Sequence, residues 1–405
     1  LIKEVKAREI LDSRGNPTVE VDVSVGHFTA RASVPSGAST GKYEAVELHD
    51  GGRRYCGLGV QKAVRNVAKI APRLKDISCT SQQLIDEKLV ALDGSRDKRS
   101  LGANALLGVS MAACRAGAHA LRKPLYSYIG HLNRTRAPAF PRLFFNVING
   151  GKHAGNDLAV QEFMVVPTTN KPGESIRIAS EVYHHLRAVI ALRYGKHATN
   201  IGDEGGFAPP ISQTGEALEL LTLAISKAGY RKKAQIAVDC AASEFFKKGR
   251  YIIDNRSLTA PDLIDYYNDM IRAYPIVSIE DPFHQDDFGH FAQLTRELRR
   301  KVHVVTDDLT VTNPHRVRLA VRAGAGNCLL LKINQIGTIT EALDAAKLAR
   351  EHGWRVMVSH RSGETTDDFI SDLAVGIGAD FMKAGAPVRG ERVAKYNQLL
   401  RIEEI

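Results

Sequence analysis

Six short apolar runs, each ended by one polar side chain, constrain this chain more than any other feature. AQIAV leads into Asp239, PIVSI into Glu280, HVVT into Asp307, CLLL into Lys332, RVMVS into His360 and ADFM into Lys383. The intervals between those residues are 41, 27, 25, 28 and 23. Four of the five suit one strand, one helix and two short loops, because a parallel strand pair needs a crossover of roughly a dozen residues or more. The runs are rich in Val, Ile and Leu without clean alternation, as in strands covered on both faces by helices. After Lys332, Thr338-Ile339-Thr340-Glu341 reads as a capping box, and Ala342, Leu343, Ala346 and Ala349 supply an apolar stripe before Gly353. A unit that repeats in this way predicts an α/β barrel of parallel strands.

The residue at each C-terminal strand end of such a barrel faces the mouth, where active sites are built. One polar residue at a strand end reads as an ordinary solvated side chain, but six in register do not. Three carboxylates that repel one another call for a cation between them, and all-oxygen ligation points to a hard ion such as magnesium. Asp239, Glu280 and Asp307 are therefore the expected metal ligands, with Lys332 and Lys383 beside them. Metal and lysine together suit removal of a proton next to a carboxylate, since both place positive charge where the enediolate develops. A lysine would be the base, its pKa lowered by neighbouring cations and partial burial. The residues alone do not choose between Lys332 and Lys383.

A barrel takes about 250 residues, so a chain of 405 leaves room for a smaller domain. Hydrophobic content of 44% and charged content of 25% are those of a soluble globular protein. No apolar run approaches the roughly 18 residues of a membrane span, and LIKEVKAREI does not form a signal peptide, so a cytoplasmic location is expected. The five cysteines are widely spaced and read as reduced thiols. The net charge of +10 comes from short scattered clusters such as Arg231-Lys232-Lys233 and Arg299-Arg300-Lys301, with no interleaved aromatics. That pattern reads as a solvated basic surface that attracts a small anionic substrate; specific nucleic-acid binding is not expected.

Towards the N-terminus, Val19, Val21, Val23 and Val25 alternate with polar neighbours as in a half-buried antiparallel strand. Helical patterns follow at 57–72, 80–92 and 101–121, the last packed with Ala and Gly. Pro138 and Pro141 punctuate a boundary. The expected division is an α+β domain over 1–131, a linker over 132–141 and the barrel over 142–405. The small, hydroxyl-rich segment 35–43 reads either as a surface loop or as a lid. His153 and Glu162 flank a Gly-Gly turn, where taken alone they read as a turn histidine and an exposed strand residue. Asp203-Glu204 reads as a turn, or as an acid from the opposite wall. Ser359-His360-Arg361-Ser362-Gly363-Glu364-Thr365 offers a guanidinium and a hydroxyl that suit a phosphate, against a structural Arg361–Glu364 pair. The adjacent His184 and His185 receive no role. Dinucleotide, P-loop and nucleophile-elbow motifs are absent.

The motifs, in order, resemble those of the enolase family: AREILDSRGNPTVEV, VPSGASTG, LGANALLGVS, NVINGGKHAGN, QEFMVVP, GDEGGFAP, SIEDPF, DDLTVTNP, LLLKINQIGT, VSHRSGET, GAPVRGER and KYNQLLRIEE. The resemblance covers essentially the whole chain, and its wording is most similar to microbial and archaeal members. It implies an enolase-type, TIM-like barrel with a smaller N-terminal α+β domain. The implied reaction is the reversible dehydration of 2-phosphoglycerate to phosphoenolpyruvate with two Mg2+ ions per active site. By the same resemblance, Asp239, Glu280 and Asp307 hold the first magnesium and Ser39, on the lid, completes the second. Lys332 is the base, Glu204 the acid, and Glu162 its support; His153 arrives on a closing loop. Lys383 binds the carboxylate, Arg361 and Ser362 the phosphate, and His360 lines the region between them. A homodimer is the implied minimum assembly, with an octamer as the higher alternative. Two stretches depart from the usual pattern: Phe381-Met382-Lys383-Ala384 stands where the family has Gln-Ile-Lys-Thr, and Thr366-Asp367-Asp368 follows HRSGET. A related lyase acting on another acid, or a binding protein that keeps the fold without the chemistry, are the competing readings.

Overall fold

A computed structural model describes residues 1–405 except Ser39, Arg136, Arg299 and Arg300. The chain opens with an antiparallel sheet of β1 (Ile2–Leu11), β2 (Pro17–Val25) and β3 (Phe28–Ser33). The alternating valines of β2 are buried, as their period requires. Helices α1 (Gln61–Leu74), α2 (Gln82–Asp93), α3 (Ala103–Ala120) and α4 (Leu125–Asn133) follow. The small residues of α3 allow a close helix–sheet contact: a Cβ added at Gly108 would meet Val21 Cγ2 at 2.6 Å. Sequence periodicity did not anticipate α4, which runs through the expected end of the domain at residue 131.

The barrel begins with β4 (Arg142–Asn149) and β5 (Glu162–Pro167), then α5 (Pro172–Tyr194), α6 (Thr214–Lys227) and β6 (Ala234–Asp239). A small antiparallel sheet, β7 (Phe246–Lys247), β8 (Arg250–Ile253) and β9 (Arg256–Leu258), leads to α7 (Ala260–Ala273) and β10 (Ile276–Glu280). That inserted sheet accounts for the one overlong interval. Next come α8 (Phe288–Leu298), β11 (His303–Thr306), α9 (Pro314–Ala323), β12 (Cys328–Leu331), α10 (Ile333–Ile336) and α11 (Ile339–Glu351). The chain closes with β13 (Arg355–Ser359), α12 (Phe369–Gly376), β14 (Phe381–Lys383) and α13 (Gly390–Glu403).

Among the described residues β4, β5, β6, β10, β11, β12, β13 and β14 close into a barrel in that order. The expectation of an all-parallel barrel is corrected at one strand: β5 runs antiparallel to both β4 and β6. The connection from β4 to β5, residues 150–161, carries no α-helix to cover a crossover, and β5 returns as a hairpin partner. Phe144, Met164, Val166, Ala237, Val305, Leu330, Met357 and Phe381 fill the barrel interior, while the alternate side chains pack beneath the helices.

The two parts are bolted together by polar contacts. Arg115 on α3 pairs with Asp367 at 2.6 Å and with Asp368 at 3.0 Å. Asp367 also accepts the backbone N–H of Ser33. Asp86 on α2 accepts from the backbone and hydroxyl of Thr340, at the start of α11. The predicted Thr338 cap is present, the side chain accepting the N–H of Glu341. No helix among the described residues is long and apolar enough to cross a membrane.

Candidate active site

Strand register sets the site. Glu162 opens β5 and lies opposite Asp239, the last residue of β6, which in turn lies opposite Glu280, the last residue of β10. Because β5 is reversed, its first residue stands at the same mouth as the final residues of its neighbours. Lys383 ends β14, on the far side of β4, and reaches across to these carboxylates. Its Nζ lies 3.1 Å from Glu162, 3.3 Å from Asp239 and 2.8 Å from Glu280. All four side chains are buried.

Lys332, just past β12, holds Asp307 at 2.5 Å. The other oxygen of Asp307 accepts from Gln335 at 2.7 Å. Asp281, next to Glu280, accepts the backbone N–H groups of Asp307 and Asp308 and fixes that loop. On the facing wall, His153 Nδ1 lies 3.4 Å from Glu204 and 3.7 Å from Glu162. Glu204 also accepts from Asn146 at 2.9 Å and meets His360 Nε2 at 3.5 Å. Glu162, read alone as an exposed strand residue, is 2% exposed. The Arg361 guanidinium takes Glu44 at 2.9 Å and Asn334 at 2.9 Å, while Glu364 accepts the Arg361 backbone N–H and pairs with Lys395 at 2.8 Å. The Ser362 hydroxyl accepts the N–H of Ala38, and Ser36 and Gly363 exchange backbone hydrogen bonds. The segment expected as loop or lid is thus docked on the Arg361–Gly363 turn. Ser39 itself lies outside the described residues.

The electrostatics follow from burial of excess negative charge. Burial, then the nearby Glu204, hold the Glu162 carboxyl well above its ordinary range, although Lys383 opposes this. Burial and Asp239 do the same to Glu280. Asp308 is pushed up to about 8 by burial and Asp307. Glu204 behaves oppositely: burial works against its charge, but His360, His153 and Arg392 outweigh it and hold the carboxyl well below the usual range. Glu162 and Glu204 are thus two neighbouring carboxyls pushed in opposite directions. At Lys332 the expected lowering causes are present but are outweighed. Burial lowers its pKa, and Arg361 and Lys383 add to this, but Asp307 wins and the net shift is upward.

The donor set fits a hard divalent cation. Asp239, Glu280 and Asp307 offer oxygen only, and Glu280 Oε2 is buried with the Lys383 ammonium, 2.8 Å away, as its counter-charge. Among the described residues, the ligand atoms that gather within 4.8 Å of one another belong to Asp281, Asp307 and Asp308, and to His153, Glu162 and Glu204, rather than to the expected three. In the present arrangement Lys383 stands among the expected ligands and supplies the positive charge. The space bounded by His153, Glu162, Glu204, Lys332, Arg361 and Lys383 is about 20 Å³, little more than one water.

Two family models divide the chain: the enolase N-terminal domain over residues 2–129 and the enolase C-terminal TIM barrel domain over residues 138–405. The chain belongs to the enolase family. A curated relative named Enolase, from the archaeon Thermococcus gammatolerans, is 54% identical over 409 residues, covering 100% of this chain and 94% of that protein. Both departures from the enolase pattern have a place in the fold. Phe381 points into the barrel and packs on Phe144 and His303, with ring centroids 5.3 and 4.8 Å away, while Met382 packs outward. Asp367 and Asp368 hold Arg115. Sequence reasoning missed Glu44, Asn146, Asp281, Gln335 and Arg392 as neighbours of the enolase site. Asp281 and Gln335 had a signal, being one residue from Glu280 and three from Lys332; the others come from elements whose approach no local pattern encodes.

Proposed function

We propose that this protein interconverts 2-phosphoglycerate and phosphoenolpyruvate, with Lys332 removing the proton beside the carboxylate and Glu204 serving the hydroxyl that leaves. The observation that carries the reading is the facing of two sets across one buried mouth: Lys332 and Lys383 among carboxylates on one wall, and Glu204 and His153 on the other, with Glu162 in contact with both. Lys383 would hold the substrate carboxylate. Arg361 and Ser362 would take the phosphate, for which a planar guanidinium offers paired donors. Glu162, its carboxyl pushed up, stands beside Glu204, whose carboxyl is pushed down, and the pair would handle the proton taken by the departing hydroxyl. His360 borders both groups. Two magnesium ions, one at Asp239, Glu280 and Asp307 and one completed by Ser39, would supply positive charge at the developing enediolate. With Asp307 so engaged, the partner that raises Lys332 is neutralised, and burial, Arg361 and Lys383 are left to favour the neutral amine a base requires. Substrate needs more than the present space, so the 35–43 segment must lift and Arg361 must exchange Glu44 for phosphate. A homodimer is the proposed minimum assembly, with an octamer as the alternative to be separated by sedimentation, and the cytoplasm is the proposed location.

Ultraviolet detection of phosphoenolpyruvate from 2-phosphoglycerate, with magnesium and then with chelator, tests the reading. Magnesium-dependent product is expected, and its absence in folded protein would move the scaffold reading forward. In Lys332→Ala, exchange of the proton beside the carboxylate with solvent should fall by about 10²-fold or more; near-normal exchange would reassign the base.

A further inference from the structure

Arg392, on the first turn of α13, is fully buried, yet it does not touch the space where substrate would sit. Its Nη1 lies 2.6 Å from His360 Nδ1 and donates to the Arg361 carbonyl at 2.7 Å. Its Nη2 donates to the carbonyls of Ser362 at 2.6 Å and Asp203 at 3.0 Å. Apart from the Glu391 carboxylate, 3.5 Å from its Nε, this buried permanent cation has a ring nitrogen and backbone oxygens as acceptors, an arrangement that is costly unless its geometry does something no neutral group could.

The chemistry of the contact is asymmetric. A guanidinium carries donors and no acceptor, and it does not deprotonate in a protein. The His360 nitrogen it meets must therefore be the lone-pair nitrogen. We infer that Arg392 is a positioning residue that locks His360 as the neutral imidazole with its proton on Nε2, so that this N–H always faces Glu204. The same guanidinium ties the Asp203–Glu204 turn to the Arg361–Ser362 turn, so the proton-handling wall and the phosphate-binding turn share one anchor.

The groups around the ring agree with this. His360 is faced by Glu204 from the turn before α6, by Lys383 on β14, by Lys332 after β12 and by Arg392 on α13. Burial holds the ring well below its ordinary pKa; Glu204 opposes this, while Arg392, Lys383 and Lys332 reinforce it. A neutral ring that can only donate steadies Glu204 in one geometry. An imidazolium, or the other tautomer, would present Glu204 with a competing proton or a lone pair.

The catalytic consequence rests on the proposed reaction, but the tautomer does not. The test is a nitrogen–proton correlation spectrum of the full protein labelled in histidine, recorded without substrate, with His360 assigned by the signal lost in His360→Asn. Between about pH 5.5 and 8.5, a range that brackets ordinary imidazole titration, wild-type His360 should keep an unprotonated Nδ1 and a protonated Nε2. Arg392→Lys, which keeps the charge and loses the fork, should show mixed tautomers or a titrating ring. In that variant kcat/KM should gain an acid-side titration, with a fall in kcat of about ten-fold or more. A wild-type ring that is protonated on Nδ1 overturns the inference even if the variant does not fold. So does an Arg392→Lys protein that loses activity with its tautomer unchanged, which would leave Arg392 a structural clamp only. Absent lyase activity in wild-type protein with the expected tautomer would count against the proposed reaction alone.

Discussion

Lys383 is the charge on which the mouth depends, since its ammonium is buried with three carboxylates that burial already disfavours. Its pKa is raised well above that of a free lysine: burial acts to lower it, but Glu162, Glu280 and Asp239 prevail. Lys383→Met should destabilise the protein by about 3 to 5 kcal/mol in chelator, because it leaves buried charge uncompensated. Magnesium should restore more of that loss than it adds to wild type, as a ligand binding only the folded state must. Thermal melts with and without the ion measure both. An equal magnesium effect in the two proteins would mean that the ion does not bind among these carboxylates. Much of this site was legible in the sequence. Asp239, Glu280, Asp307, Lys332, His360 and Lys383 each follow an apolar run, and an apolar run that stops at a charge marks a strand end. Glu162 and His153 escaped that logic because Glu162 begins its strand instead of ending it and His153 sits in the preceding turn. Glu44 and Arg392 escaped it because each arrives from a distant part of the chain.

Between elements, the contact with the clearest energetic signature joins α3 to the segment before α12. Burial opposes the Asp367 charge, but Arg115 and the N–H groups of Ser33 and Phe369 hold the carboxyl below its ordinary value. A carboxyl depressed on folding contributes stability above its unfolded pKa, about 3.9, and loses it as pH falls through the lower folded value. Asp367→Asn should therefore lower stability at pH 7 by up to about 3 kcal/mol, less whatever Arg115 retains through Asp368. It should also flatten the acid limb below about pH 4, as urea titrations at several pH values would reveal. An unchanged acid limb would remove Asp367 from the acid response. Elements with a strong period or cap, such as β2 and α11, could be read in advance. Helix α4 could not: LYSYIGHLN is apolar on more than one side, and its buried face is defined by α12, which comes far later in the chain.

For the molecule as a whole, a net charge of +10 surrounds a mouth meant for a small anion. Raising ionic strength should lower kcat/KM more than kcat, because screening weakens encounter rather than chemistry. Steady-state kinetics at fixed free magnesium would check this, and salt-independent kcat/KM would confine the charge to solubility. The barrel was predicted as a whole, while its one reversed strand was not, since β5 carries the same apolar composition as the others. That reversal also bears on how the chain finds its shape. Most neighbouring barrel strands must wait for an intervening helix, and β4 must wait for β14, near the other end of the chain, before the ring closes. β4 and β5 pair across residues 150–161, the shortest connection between neighbouring barrel strands. Local pairing carries a smaller loop-closure cost and forms faster than pairing between distant segments. During refolding, pulse-labelled amides of Arg142–Asn149 and Glu162–Pro167 should gain protection before those of β14, making the hairpin that carries Glu162 the template on which the remaining staves assemble.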